Sequence, residues 1–378
     1  MTPTIGTDFG GPTTTVVNGL IAENRTGIRS ELLTTVGPGQ RPESIEPATR
    51  LAQSGVTVRL FPRTGLVGRG EAWGLSPRLA FWLIRNIRRY DLIHLQYVWC
   101  MTSILGVAIA RLAGVPVVLT PHESLTDFDI EVASRHPLLK TMKRVLRHLF
   151  LGNTDQLVLM SRLEQRDTRS GSVPVKIVSH AVLEYPAGET GGRSPGGEGL
   201  RIAFLGRNIE KKGIHLILEA IAMRPDRDRR LRIAGPAGND EYRREIESLI
   251  RRFGIEDRVQ WAGFVTDRGG YLSEADVLAM PSVYEGFGMV SAEAMCVGVP
   301  VVVPAMSGVA EIVDEFEAGV VMTVSSAGEL DRAFARLEDD PELARAMGAN
   351  GIRAANERLS FEAYARQTAD IYGALIDR

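Results

Sequence analysis

Short β-branched apolar runs alternate with segments of helical periodicity along the whole chain. In the first half the runs that predict strands are SELLTTV (30–36), VTVRLF (56–61), DLIHLQ (91–96), VPVVLT (115–120), DQLVLMS (155–161) and KIVSH (176–180). The alternation breaks at EYPAGETGGRSPGGEG (184–199), a glycine-rich stretch with nothing to bury, which reads as a linker. It resumes with LRIAFLG (200–206), RLRIAG (230–235), VQWAG (259–263), VLAMPS (277–282), VPVVVP (299–304) and GVVM (319–322). Continuous apolar strands separated by helices predict parallel sheets. The expected fold is therefore α/β, with two domains of similar size at 1–183 and 200–359. Such sheets bind ligands beyond the carboxyl ends of their strands, so the site is expected between the halves.

One stretch fits this frame poorly. In TDFGGPTTTVVNGL (7–20), Gly10 and Gly11 make a tight turn, Pro12 suits a first helical residue, and Val16, Val17 and Leu20 line an apolar helical face. A glycine turn opening a helix is an anion site, because free N–H groups and the helix dipole face the ligand. Only nine residues precede Gly10, including a proline and a glycine. The first strand of the first half is expected to be short or missing.

Composition narrows the class. With 378 residues there is material for two cores, and a net charge of -2 gives no reason to expect nucleic acid as a partner. Two cysteines, Cys100 and Cys296, exclude a disulfide framework. No apolar run is long enough to span a bilayer and no basic start leads into a signal segment, so a cytoplasmic location is expected. Lysine is scarce: Lys140, Lys143, Lys176, Lys211 and Lys212 stand among many arginines.

Two segments carry candidate chemistry. In PSVYEGFGMVSAEAMCVGVPVVVP (281–304) a strand ends at Pro281, Glu285 leads the turn Gly286-Phe287-Gly288, and a small-residue helix opens at Met289 with Glu293 inside it. The turn offers backbone donors at a helix N-terminus, which suits a diphosphate or sugar hydroxyls. Glu293 is a carboxylate able to accept two ribose hydroxyls. In GRNIEKKG (206–213), Arg207 and Lys212 flank a turn where a planar fork and a compact charge can together neutralise a pyrophosphate. The plainer reading of both segments is solvated charge on ordinary loops.

The segments FLGRNIEKKGIHLILEAI, LRIAGPAGNDEYRREIESLIRRFGIEDRVQWAGFV, PSVYEGFGMVSAEAMCVGVPVVV and SGVAEIV follow one another in the order of the retaining glycosyltransferases of family 4, also called group 1. The second half resembles that family almost end to end. The first half resembles it more loosely, through FGGPTTTVVNGL, YDLIHLQYVW and VVLTPHESL. The resemblance implies the GT-B fold, two Rossmann-like domains facing across a cleft, with the C-terminal helix 360–378 packed back on the first domain. It implies that Arg207 and Lys212 hold the donor diphosphate, that Glu293 binds the ribose, and that Glu285, Gly286, Phe287, Gly288 and Met289 surround the donor sugar. Phe264 and Val265 would flank the base. Gly10 and Gly11 would approach the diphosphate or acceptor, and His122 would touch the donor sugar near the reacting carbon.

Such enzymes move a sugar from a nucleotide-diphosphate sugar to a hydroxyl of a glycan or lipid-linked acceptor, without a cofactor. DFD (127–129) resembles a metal-binding D-x-D, but it lies in a loop after His122, and two basic residues already serve the leaving group. No metal is expected there, and Asp127 and Asp129 are read as acceptor contacts. Three residues depart from the family pattern: Gln96, Glu123 and His180, all in the first half, read as acceptor tuning. The basic amphipathic stretches 78–90 and 136–151 suggest transient contact with an anionic membrane at its inner face. Alternatives on the same fold are a nucleotide-sugar epimerase, a phosphorylase, or a binding protein with weak catalysis.

Overall fold

The computed structural model describes residues 1–5, 11–37, 45–64, 74–134, 136–182, 199–236, 238 and 240–377. The chain divides into two compact units, Met1–Ala181 with Phe361–Arg378, and Val182–Ser360. Gly10 and most of the expected linker lie outside the described residues.

In the first unit the elements are α1 (Gly11–Arg25), β1 (Glu31–Val36), α2 (Glu46–Gln53), β2 (Thr57–Pro62), α3 (Pro77–Asn86), β3 (Ile93–Gln96), α4 (Met101–Ala113), β4 (Val117–Thr120), α5 (Pro137–Leu151), β5 (Gln156–Leu159), α6 (Arg162–Asp167) and β6 (Val175–Ile177). The second unit holds β7 (Leu200–Leu205), α7 (Ile214–Ala222), β8 (Arg229–Ala234), α8 (Asp240–Phe253), β9 (Val259–Gly263), α9 (Arg268–Ser273), β10 (Val277–Ala279), α10 (Met289–Cys296), β11 (Val301–Pro304), α11 (Ala310–Phe316), β12 (Gly319–Met322), α12 (Ala327–Asp339) and α13 (Pro341–Ala354). The last helix, α14 (Phe361–Ile376), returns to the first unit and packs on α1. Each strand overlaps a run expected from the sequence.

All strand pairs are parallel. The second unit has one six-stranded sheet in the order β12-β11-β10-β7-β8-β9. The order reverses at β7 and β10, the place where doubly wound sheets open a crevice at their carboxyl ends. β11 is buried at all four residues, which is why its sequence VVVP runs apolar without alternation. A fully buried arginine fastens the flank of this unit. Arg229, at the start of β8, pairs with Asp331 (2.7 Å) and Glu338 (2.9 Å) of α12. Removing either carboxylate would leave part of that buried charge uncompensated.

The first unit is built differently. Its strands form two separate ladders, β1-β2 and β3-β4-β5-β6. The gap between them is occupied by Met1–Ile5, which is not a regular strand. Thr2 N donates to Leu33 O of β1 (3.2 Å), and Gln96 N of β3 donates to Met1 O (2.8 Å). Thr35 Oγ1 adds a bond to Pro3 O (2.5 Å). A short stub therefore joins the two ladders, with Pro3 unable to donate a backbone hydrogen bond. Beneath the larger ladder, Leu95, Val117, Leu119, Leu157 and Phe150 form the buried core with Leu79 and Leu83 of α3.

Candidate active site

In the second unit two loops are tied together at the ends of β7 and β10. After β7 the chain passes Arg207, makes a 3-10 turn at Glu210–Lys212, and reaches Gly213 before α7. Gly213 has φ 75°, and a Cβ there would lie 2.4 Å from Pro281 O, so only glycine lets the two loops approach this closely. Val283 N donates to Lys211 O (2.9 Å) across the same seam. Lys212 then lays its ammonium on the Glu285 carboxylate, with Nζ 2.7 Å from Oε2 and closer still to Oε1. Arg207 is exposed and makes no side-chain bond among the described residues.

Glu285 is fixed by its backbone. Glu285 N donates to Met306 O, and Gly308 N donates to Glu285 O. Phe287 O accepts from Val309 N (2.7 Å) and from Ser307 Oγ (3.2 Å), while the Phe287 side chain is buried. Gly288 caps α10 at φ 100°, and Ser291 N and Ala292 N both return to its carbonyl. Met289 opens the helix, half-exposed beside the half-buried Glu285. The first turn of a helix carries unpaired N–H groups and the positive end of its dipole. This corner thus offers a guanidinium, an ammonium and a helix N-terminus, a setting for an anion with hydroxylated neighbours.

Further along α10, Glu293 is 1% exposed, and burial pushes its carboxyl up to about 7. Arg268 of α9 stands beside it, Nη2 2.7 Å from Oε2. Phe264, 74% exposed, and the half-buried Val265 follow β9 on the loop leading to α9.

In the first unit the expected histidine sits at a strained corner. His122 and Glu123 both have left-handed backbones, at φ 49° and 67°, and Tyr97 after β3 has φ 76°. Side-chain-bearing residues in that region cost of order 1–3 kcal/mol each and cluster at functional sites. Buried Glu164 holds the turn: Oε1 accepts from Glu123 N (2.7 Å) and Oε2 from Met160 N (2.8 Å). Burial pushes Glu164 up to about 7. His122 is buried, its ring 5.6 Å from His180 in a stack and 4.7 Å from Tyr97. Burial lowers its imidazole to about 3, so it is neutral at working pH.

His122 also ends a polar chain through the interior. Its Nε2 lies 2.7 Å from Gln96 Oε1, which can only accept, so Nε2 carries the proton and Nδ1 is a buried acceptor with no partner among the described residues. Gln96 Nε2 faces His94 Nε2 (3.3 Å), to which Thr120 Oγ1 also donates (2.8 Å). His94 Nδ1 then donates to Tyr372 Oη (2.7 Å), and Tyr372 donates to Glu23 (2.8 Å). A small cleft beside His122 is lined by Thr15 and Val16 of α1 together with Gln96, Thr120 and His180. Gln96 and His180 thus meet at the His122 ring, and Glu123 follows it in the same turn.

Asp127 and Asp129 have partners of their own. Asp127 pairs with Arg147 (3.0 Å) and Arg169 (2.8 Å), while Asp129 takes Lys143 (2.6 Å) and the Trp99 indole (2.9 Å). The basic side of α5 is accordingly spent on this acidic loop, and Leu138, Val145 and Leu149 are left exposed on its apolar side. No described helix is long and apolar enough to cross a membrane. No cluster of metal-ligating side chains occurs among the described residues. Gly11 begins α1, but its surroundings lie outside the described residues. Sequence reasoning missed Arg268, Glu164, and the relay from His94 to Glu23. Arg268 carried no signal beyond being one arginine among many.

Comparison with known proteins bears on both units. The profile of glycosyl transferases group 1 matches residues 195–354, and that of the glycosyl transferase 4-like domain matches 10–180. The MMP alpha-(1->4)-mannosyltransferase of Mycolicibacterium hassiacum is 30% identical, over 83% of this chain and 78% of its own. A D-inositol 3-phosphate glycosyltransferase of Pseudarthrobacter chlorophenolicus is 29% identical over 77% of this chain and 72% of its own. Among solved structures, Anabaena HepE in complex with UDP and glucose superposes with a TM-score of 0.73 at 20% identity, covering 97% of this chain and 96% of that one. With the tied loops at β7 and β10 and matches spanning both units, the chain belongs to the group 1 (family 4) glycosyltransferases and has their GT-B fold.

Proposed function

We propose that this protein transfers a hexose-type sugar from a nucleotide-diphosphate sugar to a hydroxyl of a glycan or lipid-linked acceptor, with retention of configuration and without a metal ion. The observation that carries this reading is the Lys212–Glu285 contact across two loops locked by Gly213, with the exposed Arg207 on the same turn. Lys212 and Arg207 would neutralise the leaving diphosphate, the work a divalent ion does elsewhere. Diphosphate binding would draw Lys212 away from Glu285, freeing that carboxylate to accept sugar hydroxyls. The names of the relatives, a mannosyltransferase and an inositol phosphate glycosyltransferase, support sugar transfer, and the UDP and glucose held by HepE support a nucleotide-sugar donor.

Retention follows in this reading from attack on the side from which the diphosphate leaves. A departing phosphate oxygen takes the acceptor proton, so no dedicated base is needed. His122, neutral and offering Nδ1 as an acceptor, would receive a hydrogen bond from a donor-sugar hydroxyl. The test is a thermal-shift screen of UDP-, GDP-, ADP- and dTDP-sugars. One nucleotide should raise the melting temperature, and K212A should abolish the rise. No shift with any of them would overturn the reading. Product anomer assignment by NMR and insensitivity of turnover to EDTA check the retaining and metal-free parts.

A further inference from the structure

Each carboxylate of the Glu285–Glu293 segment is met by a cation of the chain itself. Glu285 is met by Lys212, from the turn that carried the resemblance. Glu293 is met by Arg268, which no motif singled out. Arg268 opens α9, a short helix capped by Asp267, whose side chain accepts from Gly270 N (2.9 Å). Tyr271 anchors that helix by donating to Phe204 O (3.0 Å) and Arg232 O (2.7 Å). Arg268 is therefore delivered from a fixed support, with 30% of its side chain exposed against 1% for Glu293.

Arg268 Nη2 lies 2.7 Å from Glu293 Oε2, a buried oxygen that meets it as an ion pair and has no hydrogen-bond partner among the described residues. Arg268 therefore supplies a positive charge to a buried carboxyl. Residues 355–359 also pack on α10, and their charged members, Glu357 and Arg358, are exposed, with Arg358 paired to Glu315. Cys296, one turn on along α10, is a buried thiol whose own ionisation the Glu293 charge opposes. α13 meets α10 through Gly351 against Met295, and β11 beneath is wholly apolar. Burial drives the carboxyl toward its neutral form, and the Arg268 charge opposes that. A neutral carboxyl would present an O–H in place of an acceptor, and two ribose hydroxyls need acceptors.

We propose that Arg268 is the positioning residue of the ribose site, its guanidinium keeping Glu293 a carboxylate able to accept the ribose hydroxyls. This rests on the reading of Glu293 as the ribose ligand. The test is calorimetric titration with UDP-glucose, GDP-mannose and ADP-glucose, taking whichever binds the wild type most tightly, between about pH 6 and about pH 9. The diphosphate of a nucleotide sugar does not titrate in that range. Wild-type affinity falls below about 7, where Glu293 takes a proton. In R268M the fall moves to higher pH, so that near neutrality binding is weaker by roughly 10-fold, the scale of one charge-assisted hydrogen bond, and recovers in alkali. R268K, with a weaker ion pair, moves the fall in the same direction but less far. E293Q binds weakly at every pH.

An R268M deficit that stays constant across pH, or an R268M curve that overlays the wild type while E293Q is weak, overturns the role of Arg268. Wild-type affinity in E293Q overturns the ribose reading itself. R268K guards against a folding defect: should R268M not fold, a wild-type pH curve shifted in R268K by its weaker ion pair supports the proposal, and a uniformly reduced one overturns it.

Discussion

The two units use the same parallel α/β plan and place their functional groups in opposite ways. In the second unit the groups that meet lie close in sequence or on the ends of adjacent strands: Lys212 on Glu285, Gly213 against Pro281, Phe287 beneath Ser307. In the first unit one imidazole is held by groups scattered along the chain, from Tyr97 and Gln96 through Glu164 to His180. Its relay reaches back to Glu23 through Tyr372, 278 positions from His94. The difference teaches that opposite charges can be brought together by local loops, whereas orienting a neutral ring requires the whole unit. Titration sharpens the contrast. The buried acid beside the second site has its pKa raised, and the buried base of the first site has its pKa lowered.

Substitutions can break this contrast. The largest effect is expected of K212A, which should lower kcat/KM by on the order of 10²–10³ by removing charge from the leaving diphosphate. Activity within twofold of wild type would remove the second unit's loop from the chemistry. E293Q comes next. A carboxyl whose folded value is raised to about 7 stabilises the fold while protonated and loses that contribution as pH rises from the unfolded value through about 7. The variant should therefore gain up to ~3 kcal/mol over wild type near pH 8 and nothing near pH 4, measured by denaturant titration.

His122 should show the reverse sign. Its folded value, lowered to about 3, gives stability present above the unfolded value near 6.5 and lost as pH falls toward 3. H122Q should gain on the wild type in acid, by about 2 kcal/mol near pH 5, with no gain near pH 8. Equal signs in E293Q and H122Q would dissolve the comparison. The smallest effect is expected of Q96L, which leaves the His122 proton without its acceptor. It should cost roughly 1–2 kcal/mol in kcat while leaving nucleotide binding unchanged. An equal loss in nucleotide affinity would show that this contact does not belong to the first unit alone.

The sequence made the strands legible because a buried parallel strand must read as an apolar run, as VVLT and VVVP do. It made the second site legible because loop glycines and charges sit a few residues apart. Other features depend on distance. Nothing near Arg229 announces that Asp331 and Glu338 will neutralise it, a hundred residues on. Nothing near Arg268 sets it apart from other arginines on helix starts. Gln96 was visible as a departure from a pattern, but its partner was not, since only the pairing of β3 with β4 brings it to His122. Nothing in the acidic loop at Asp127 and Asp129 announces the counter-charges that Lys143 and Arg147 of α5 and Arg169 bring to it.

The passage of α14 back into the first unit bears on how the protein is made. Val182–Ser360 is one unbroken length of chain, whereas Met1–Ala181 lacks its final helix until Phe361 onward has been synthesised. At translation speeds of about 5–20 residues per second, the second unit can close while the first still waits for Tyr372 to complete its buried relay. The half that leaves the ribosome first is the half that finishes last.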